Sequence, residues 1–299
     1  MRMKKRKIAL IGARGMLASM VRELAPADVE LCLLDLPQFD LTDAQRVSAT
    51  LDSLRPEVII NCAAFTRVDA CEEQSSLAFA VNGTGPGYLA EAAGRLQALL
   101  VHISTDFVFS GTNSSPYVET DVTEPLSVYG QSKLAGELAI LRSGLERYFI
   151  VRTSWLYGPN GGNFVETMIR LAGEREELGV VADQIGTPTY SGDLATAIWR
   201  LIDRAGNPQE KSLYGIYHYS NAGACSWYDF ACEVISRLRV AGVSLKVQQI
   251  RPLTTSEYPT PAQRPAYSVL SKDKFVRRTH SVVPPWKESL ALYLDQRSV

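Results

Sequence analysis

The most informative segment for predicting the fold is Lys7-Ile-Ala-Leu-Ile-Gly-Ala-Arg-Gly-Met-Leu-Ala18, near the start of the chain. Its apolar run ending at Ile11 favours a buried strand, and the residues from Gly15 onward favour a helix. Glycines between the two permit a tight turn and let the backbone approach a phosphate, which the free N–H groups at a helix N-terminus attract. With Ala18 small enough for close helix–strand packing, we predict a strand–turn–helix unit that binds a dinucleotide.

The same alternation of strand and helix continues through the first half of the chain. Further strands are predicted at Glu30–Leu34, Glu57–Asn61, Ala98–Ser104 and Tyr148–Thr153. Helices are predicted at Gly15–Leu24, from a cap at Thr42 or Asp43 to Leu54, at Ser75–Arg95 and at Val128–Arg142. This order predicts an α/β fold, a Rossmann-type doubly wound parallel sheet with helices on both faces.

The composition changes after about residue 155, which predicts a second region. Gly158-Pro-Asn-Gly-Gly162 is a loop, and Tyr258-Pro-Thr-Pro-Ala-Gln-Arg-Pro265 carries three prolines in eight residues and is expected to be extended. We expect residues 1–155 to form the dinucleotide-binding domain. Residues 156–299 are expected to complete the sheet and to form a smaller C-terminal substrate-binding lobe.

The bulk composition excludes several classes of protein. The formal net charge of −1 gives no general attraction to nucleic acid or to a membrane surface, and no run of 18 apolar residues predicts a membrane span. The basic start of the chain lacks the long apolar stretch of a signal peptide. Five cysteines without a Cys-x-x-Cys pair argue against a disulfide framework or a zinc site and favour the reducing cytoplasm.

Two residues give opposite indications about the cofactor. Asp35 follows the second strand, where a carboxylate binds the adenosine ribose hydroxyls of NAD. Arg14, within the glycine loop, suits the 2′-phosphate of NADP. Asp40 is a further candidate on the adenine side, or simply the entry to the next helix. The sequence therefore predicts NADH or NADPH without choosing between them.

The catalytic candidates are Tyr129 and Lys133, in the sequence Tyr129-Gly-Gln-Ser-Lys133 at the start of a predicted helix. Residues four apart share one helical face, so the ammonium can stabilise the phenolate and lower the pKa of the tyrosine. Tyr129 can then donate a proton to a carbonyl oxygen as hydride reaches the carbon. Thr105 ends the fourth strand, at the edge where parallel sheets bind ligands, and can hydrogen-bond the same carbonyl.

Ordered motifs along nearly the whole chain resemble the extended short-chain dehydrogenases, and among them the dTDP-4-dehydrorhamnose reductase family. They are Asn61-Cys-Ala-Ala-Phe-Thr-Arg-Val-Asp69, Ser104-Thr-Asp-Phe-Val-Phe109, Val128-Tyr-Gly-Gln-Ser-Lys-Leu-Ala-Gly-Glu137, Arg152-Thr-Ser-Trp-Leu-Tyr157, Asn163-Phe164, Asp183-Gln-Ile-Gly-Thr-Pro-Thr189, Ser226-Trp-Tyr-Asp229 and Tyr258 to Pro265. The resemblance implies a catalytic set of Thr105, Tyr129 and Lys133. Together with the glycine loop, it implies cofactor contacts from Gly12, Arg14, Gly15, Met16, Leu17, Asp35, Asp40, Ala63, Ala64, Thr66, Ile103, Tyr129 and Lys133. It implies substrate contacts from Thr105, Asp106 and Trp155, with Gln184 and Arg264 as additional candidates.

The activity that the resemblance implies is reduction of the C4 keto group of a dTDP-linked 4-keto-6-deoxyhexose by NADPH or NADH. Some relatives bind magnesium between subunits through glutamates, but the matching residues here are Met20, Gly192 and Gln296, so no metal is expected and the chain is a monomer or a homodimer. Related 4,6-dehydratases have Thr-Asp-Glu where this chain has Thr105-Asp-Phe107, which argues against dehydration. A reductase or epimerase for another nucleotide sugar, and a non-catalytic regulatory subunit of the same fold, are the alternatives.

Overall fold

A six-stranded, all-parallel sheet forms the centre of the computed structural model, which describes residues 5–206 and 213–297. The strand order is β10-β5-β4-β3-β1-β2. The strands of the chain are β1 Arg6–Ile11, β2 Val29–Leu34, β3 Val58–Asn61, β4 Leu99–Thr105, β5 Tyr148–Thr153, β6 Leu156–Tyr157, β7 Glu177–Val181, β8 Ile185–Gly186, β9 Thr189–Tyr190, β10 Gly215–His218, β11 Cys225–Ser226 and β12 Gln249–Leu253. The reversal of strand order between β1 and β3 confirms the predicted α/β doubly wound class.

Helices cover both faces of this sheet. The α-helices of the described residues are α1 Met16–Glu23, α2 Ala44–Leu54, α3 Val68–Glu73, α4 Ser75–Ala78, α5 Gly85–Leu96, α6 Val128–Arg142, α7 Phe164–Glu174, α8 Ser191–Arg204, α9 Trp227–Val240, α10 Asp273–Thr279 and α11 Trp286–Gln296. Among the described residues, no helix has both the length and the apolar character needed to cross a membrane.

The helix predicted over Ser75–Arg95 is instead observed in three parts. Between α4 and α5 lies a π-helical segment, Phe79–Thr84. Pro86 has no N–H to offer the carbonyl of residue 82, so the regular α pattern cannot pass through this point. The buried Asn82 side-chain amide hydrogen-bonds both the N–H and the carbonyl oxygen of Phe65, which ties the segment to the loop after β3.

Residues from the second half of the chain extend the sheet. β10 pairs in parallel with β5 at one edge, and α8 packs its apolar side against α1. A separate apolar cluster, built from residues between Tyr157 and Tyr293, joins α7, α9 and α11 to the small strand pair β7 and β12. The second half therefore both widens the central sheet and builds a core of its own.

Candidate active site

The turn after β1 closes around Gly12. Its φ of +72° lies in the left-handed region, and a Cβ added there would come within 2.7 Å of the Ala63 backbone nitrogen. Only glycine therefore lets this turn and the loop after β3 approach so closely. Gly15 caps α1, and the backbone N–H groups of Met16 and Leu17 begin that helix facing the same edge of the sheet. This cradle fits the pyrophosphate of a dinucleotide.

Asp35 and Arg14, which gave opposite indications about the cofactor, are neighbours in the structure. The Asp35 carboxylate accepts hydrogen bonds from the backbone N–H groups of Arg14 and Leu36, both at 2.8 Å. The Arg14 guanidinium lies 3.8 Å from the same carboxylate and is 70% exposed. A ribose hydroxyl and a ribose phosphate would thus each find a suitable group at this position.

The Asp40 carboxylate is engaged in hydrogen bonds within its own turn. It accepts hydrogen bonds from the backbone N–H and the hydroxyl of Thr42, at 2.9 and 2.8 Å. These two bonds, the backbone one foremost, lower the pKa of Asp40. The structure places this side chain at the entry to α2, which was the alternative interpretation of the sequence.

One cavity of about 430 Å³ runs from the start of α1 to the carboxyl ends of β3, β4 and β5. It brings together most of the residues that the sequence singled out, namely Gly15, Met16, Leu17, Ala64, Thr66, Ile103, Thr105, Asp106, Tyr129, Lys133 and Trp155. It also includes residues that sequence reasoning missed, among them Cys62, Phe107, Thr153 and Ser154. Thr153 is the last residue of β5 and Ser154 follows it, so their place at a strand end was the signal available for them.

Tyr129 stands at the second position of α6, where the Ser127 side chain caps the helix by accepting from the Gly130 N–H at 3.2 Å. Its ring meets the edge of Phe107 with centroids 5.4 Å apart. Burial of the hydroxyl raises the pKa of Tyr129, and the neighbouring Thr105 hydroxyl opposes this shift. The sequence predicted a lowered pKa, and that prediction is wrong for this structure because desolvation outweighs the stabilisation of the phenolate. The phenol is therefore held in its protonated form.

Lys133 lies one turn further along α6, with only 2% of its surface exposed. Its Nζ donates a 2.6 Å hydrogen bond to the carbonyl oxygen of Ile103, which fixes the ammonium against β4. Burial lowers the pKa of Lys133 to about 8, although Glu137 acts in the opposite direction. Lys133 is thus cationic at neutral pH but gives up a proton more readily than an exposed lysine.

Asp106 is a second buried ionisable group in the cavity. Its side chain is 1% exposed and accepts a 3.0 Å hydrogen bond from the Thr105 hydroxyl. Burial raises the pKa of Asp106 to about 6, with the hydroxyls of Ser268 and Thr105 opposing the shift. A buried carboxyl with a raised pKa beside Tyr129 is a group suited to hydrogen-bond a polar ligand.

Gln184 and Arg264 line a second cavity of about 350 Å³, formed by α7, β7 and the proline-rich segment. The Arg264 guanidinium makes a two-point ion pair with Asp69 of α3, at 2.9 and 3.1 Å. The Gln184 amide donates to the Thr255 hydroxyl at 3.1 Å. Both side chains therefore lie apart from the Tyr129 cavity and already have protein partners.

Trp155 stands between the two cavities. Its backbone has a φ of +45°, a strained value for a bulky residue, and its ring stacks on Trp227 with centroids 3.5 Å apart. Trp155 lines the first cavity and Trp227 lines the second. A Cβ on Gly186 would come within 2.5 Å of the Trp155 ring, so a glycine is needed to seat the stack.

The three positions where relatives carry metal-binding glutamates meet around Tyr190. Met20 and Gln296 line one surface cavity with Tyr190, whose hydroxyl donates to Gln296 at 3.0 Å. A Cβ on Gly192 would press on the Tyr190 ring. Within residues 5–206 and 213–297, no group of three or more His, Cys, Asp or Glu side chains is arranged to hold a metal ion.

Comparison with known proteins gives a consistent result. The family profile described as the RmlD substrate binding domain matches residues 6–299. The chain belongs to this family. It is 42% identical to the dTDP-4-dehydrorhamnose reductase of Aggregatibacter actinomycetemcomitans, over 95% of this chain and 97% of that protein.

Solved structures of the RmlD family agree with this membership. The dTDP-4-dehydrorhamnose reductase of Bacillus anthracis, in complex with NADP, superimposes with a TM-score of 0.90 at 40% identity, over 98% of this chain and all of that one. The dTDP-4-dehydrorhamnose reductase of Clostridium acetobutylicum gives a TM-score of 0.88 at 43% identity, over 97% and 98% of the two chains. The resemblance seen in the sequence motifs is therefore confirmed.

Proposed function

We propose that this chain reduces the C4 keto group of dTDP-4-dehydro-L-rhamnose to give dTDP-L-rhamnose, with NADPH or NADH as the reductant. The observation that carries the proposal is the meeting of Thr105, Tyr129 and Lys133 in one cavity that begins at the glycine turn of the RmlD family fold. The same set argues against a non-catalytic regulatory role, because each member needed for proton donation is present.

Tyr129 is the proton donor in the proposed mechanism. When bound, the nicotinamide would supply hydride to the carbonyl carbon, and the protein would supply the proton and the orientation. Burial keeps the Tyr129 phenol protonated, which is the form that reduction requires. The Thr105 hydroxyl hydrogen-bonds the same carbonyl oxygen of the substrate and orients it toward the phenol. As the proton leaves, the Lys133 ammonium stabilises the developing phenolate.

The cofactor is expected to lie along the first cavity. The turn at Gly12 and Gly15, with Met16 and Leu17 at the start of α1, would hold the pyrophosphate. Ala63, Ala64, Thr66 and Ile103 would line the path toward the catalytic residues, where Lys133 would also hold the nicotinamide ribose. Asp35 and Arg14 lie together at the adenosine end, so this end offers one group suited to NADH and one suited to NADPH.

The nucleotide part of the substrate is assigned to the second cavity. Arg264 would pair with the diphosphate, since a guanidinium fork matches that geometry, and Gln184 would hydrogen-bond nearby. The sugar would pass Trp155 to reach Asp106 and Thr105.

On this basis residues 1–155 serve the cofactor and residues 156–299 complete the sheet and hold the substrate. We place the protein in the cytoplasm, as a monomer or a homodimer without a metal bridge.

The direct test is turnover of purified protein with dTDP-4-dehydro-L-rhamnose and either reduced cofactor, followed at the nicotinamide absorbance band. Oxidation of the cofactor coupled to formation of dTDP-L-rhamnose is expected. Oxidation only with another 4-keto nucleotide sugar would instead support the alternative substrate. Oxidation with neither would contradict the proposal.

A further inference from the structure

Behind Lys133 lies a buried row of polar side chains that the mechanism above does not use. Asn61 and His102 are direct neighbours in the sheet, at the paired positions of β3 and β4, and both are essentially unexposed. The Asn61 amide nitrogen lies 3.0 Å from His102 Nδ1, and His102 Nε2 lies 3.5 Å from Lys133 Nζ. The row therefore runs from the cofactor loop after β3 to the catalytic ammonium.

The orientation of the Asn61 side-chain amide is fixed by a backbone contact that does not belong to this row of side chains. Its Oδ1 accepts a 3.1 Å hydrogen bond from the backbone N–H of Ala63. A flipped amide would turn its NH₂ group toward that N–H, setting donor against donor. The NH₂ group of Asn61 therefore points at His102 Nδ1, which must accept.

The acceptor role of Nδ1 determines where the proton of His102 sits. Burial, and secondarily Lys133, hold the pKa of His102 well below its usual range, so the ring is neutral and carries one N–H. With Nδ1 accepting, that N–H is on Nε2 and faces Lys133 Nζ. An ammonium has no lone pair to accept it, whereas a neutral amine does.

We propose that Asn61 and His102 are positioning residues for Lys133. Asn61 holds His102 in the tautomer whose Nε2–H faces Lys133 Nζ, and this donor destabilises the ammonium and favours release of a lysine proton. Deprotonated Lys133 would gain a hydrogen bond from the imidazole. The inference rests on the proposed function, since it describes how the catalytic lysine of that reaction is prepared to return a proton to Tyr129.

The other ionisable groups around Lys133 do not replace this effect. Cys62, at the end of β3, and Glu137, on α6, both favour the ammonium. Glu137 is itself held by Arg152 of β5 at 2.6 Å. Tyr129 lies one turn away on the same helix. His102 differs from these groups because it contacts Lys133 Nζ as a neutral ring. A change of its tautomer reverses the hydrogen bonding to Lys133 without adding a charge.

The first test reads the tautomer directly by long-range ¹H–¹⁵N NMR of protein labelled at histidine. The chain has three histidines, and each ring nitrogen reports whether it carries a proton. His102 is expected to show its proton on Nε2 and a bare Nδ1. His218 gives an internal reference of the opposite kind, because its Nδ1 lies 3.1 Å from the carbonyl oxygen of Tyr117. His280→Gln assigns the remaining ring.

A proton on Nδ1 of His102 would overturn the proposal. The spectrum needs no substrate, so this result is independent of whether the chain reduces the proposed sugar. The tautomer is read on the unaltered protein, and His280→Gln serves only for assignment.

The second test reverses the tautomer with Asn61→Asp, whose carboxylate would accept from Nδ1–H and leave Nε2 to accept from Lys133. The proton should move to Nδ1, and the alkaline limb of the kcat profile should move to higher pH by about one unit or more. The new charge also acts through space, so the same change is made in a His102→Phe background. A clearly smaller shift there supports the relay through His102, and an equal shift contradicts it.

Discussion

At the scale of single residues, Tyr129 combines a raised pKa with the proposed task of donating a proton. Burial holds the phenol neutral, whereas the proposed reaction requires it to become a phenolate for a moment. In that mechanism the Thr105 hydroxyl and the Lys133 ammonium would stabilise the phenolate. Their contribution would be made only as the proton leaves, and interactions confined to the transition state are those that raise turnover.

Replacing Tyr129 by phenylalanine should remove the proton donor while leaving the packing against Phe107 intact. We expect kcat to fall by about 10²- to 10⁴-fold, the usual contribution of general acid catalysis. Cofactor affinity, measured by fluorescence titration, should change little. Tyr88→Phe, on α5 and outside the cavity, is the matched control and should retain full activity. Full activity of Tyr129→Phe would refute its role.

Asp106 should reduce the stability of the folded protein when it ionises. Its pKa is raised from 3.8 to about 6 on folding, so the folded state holds a proton that the unfolded state has lost. Stability contributed by this group therefore falls as the pH rises from about 4 to about 6. Asp106→Asn should gain about 2 to 3 kcal/mol relative to the unaltered protein over this range.

The measurement is the free energy of unfolding by denaturant for both proteins at about pH 4 and about pH 7. A difference between the two proteins that does not change with pH would contradict the expectation. If Asp106 also contacts the sugar, the same variant should show a higher KM, so stability and activity would move in opposite directions.

At the scale of elements, the position of α6 depends on close contact with the π-helical segment Phe79–Thr84. A Cβ on Gly136 would come within 2.1 Å of the Asn82 carbonyl oxygen, which is backbone and cannot move aside. Gly136 lies between Lys133 and Glu137 on the same helix. The packing that seats this glycine therefore also sets the depth of the catalytic lysine.

Gly136→Ala should destabilise the protein by about 1 to 3 kcal/mol, as overpacking does elsewhere. Gly94→Ala is its matched control, because Gly94 is a helical glycine on α5 with open space around it. That change should stabilise by up to about 1 kcal/mol through the better helix propensity of alanine. Denaturant unfolding of both variants measures the contrast, and equal effects would show that the close contact is unimportant.

At the scale of the whole molecule, the ion pair between Arg264 and Asp69 joins the second half of the chain to the first. Arg264 lies in the proline-rich segment and Asp69 in α3, beside the first cavity. A bound diphosphate would compete with Asp69 for the same guanidinium. Substrate binding and the contact between the two halves would then be linked through one side chain.

Arg264→Ala should raise KM for the nucleotide sugar by about 10- to 100-fold, the equivalent of losing a charged hydrogen bond worth roughly 1.5 to 3 kcal/mol. Because Arg264 is distant from the reacting carbonyl, kcat should change far less. Arg251→Ala is the control, since Arg251 makes an exposed ion pair with Glu177 in the same half. An unchanged KM for Arg264→Ala would remove it from the substrate site.

The sequence was most informative where one local rule decides the structure. The glycine turn after β1, the cap of α2 at Asp43 and the full extent of α6 were predicted closely, because each depends on residues adjacent in the chain. The break at Pro86 was missed, since apolar periodicity continues across it. The Trp155 and Trp227 stack and the Asn61 and His102 row join distant residues, and no local pattern signals such contacts.

The way β10 and α8 return to the first half has a consequence for synthesis on the ribosome. The apolar face of α1 is covered by α8, and the edge of β5 is covered by β10. A nascent chain that has emerged only as far as Thr153 therefore exposes both the apolar face of α1 and the unpaired edge of β5. The α1 face stays uncovered until α8 has left the exit tunnel, and the β5 edge stays open until Gly215–His218 has followed. Chaperone binding to the nascent chain is therefore expected in this interval.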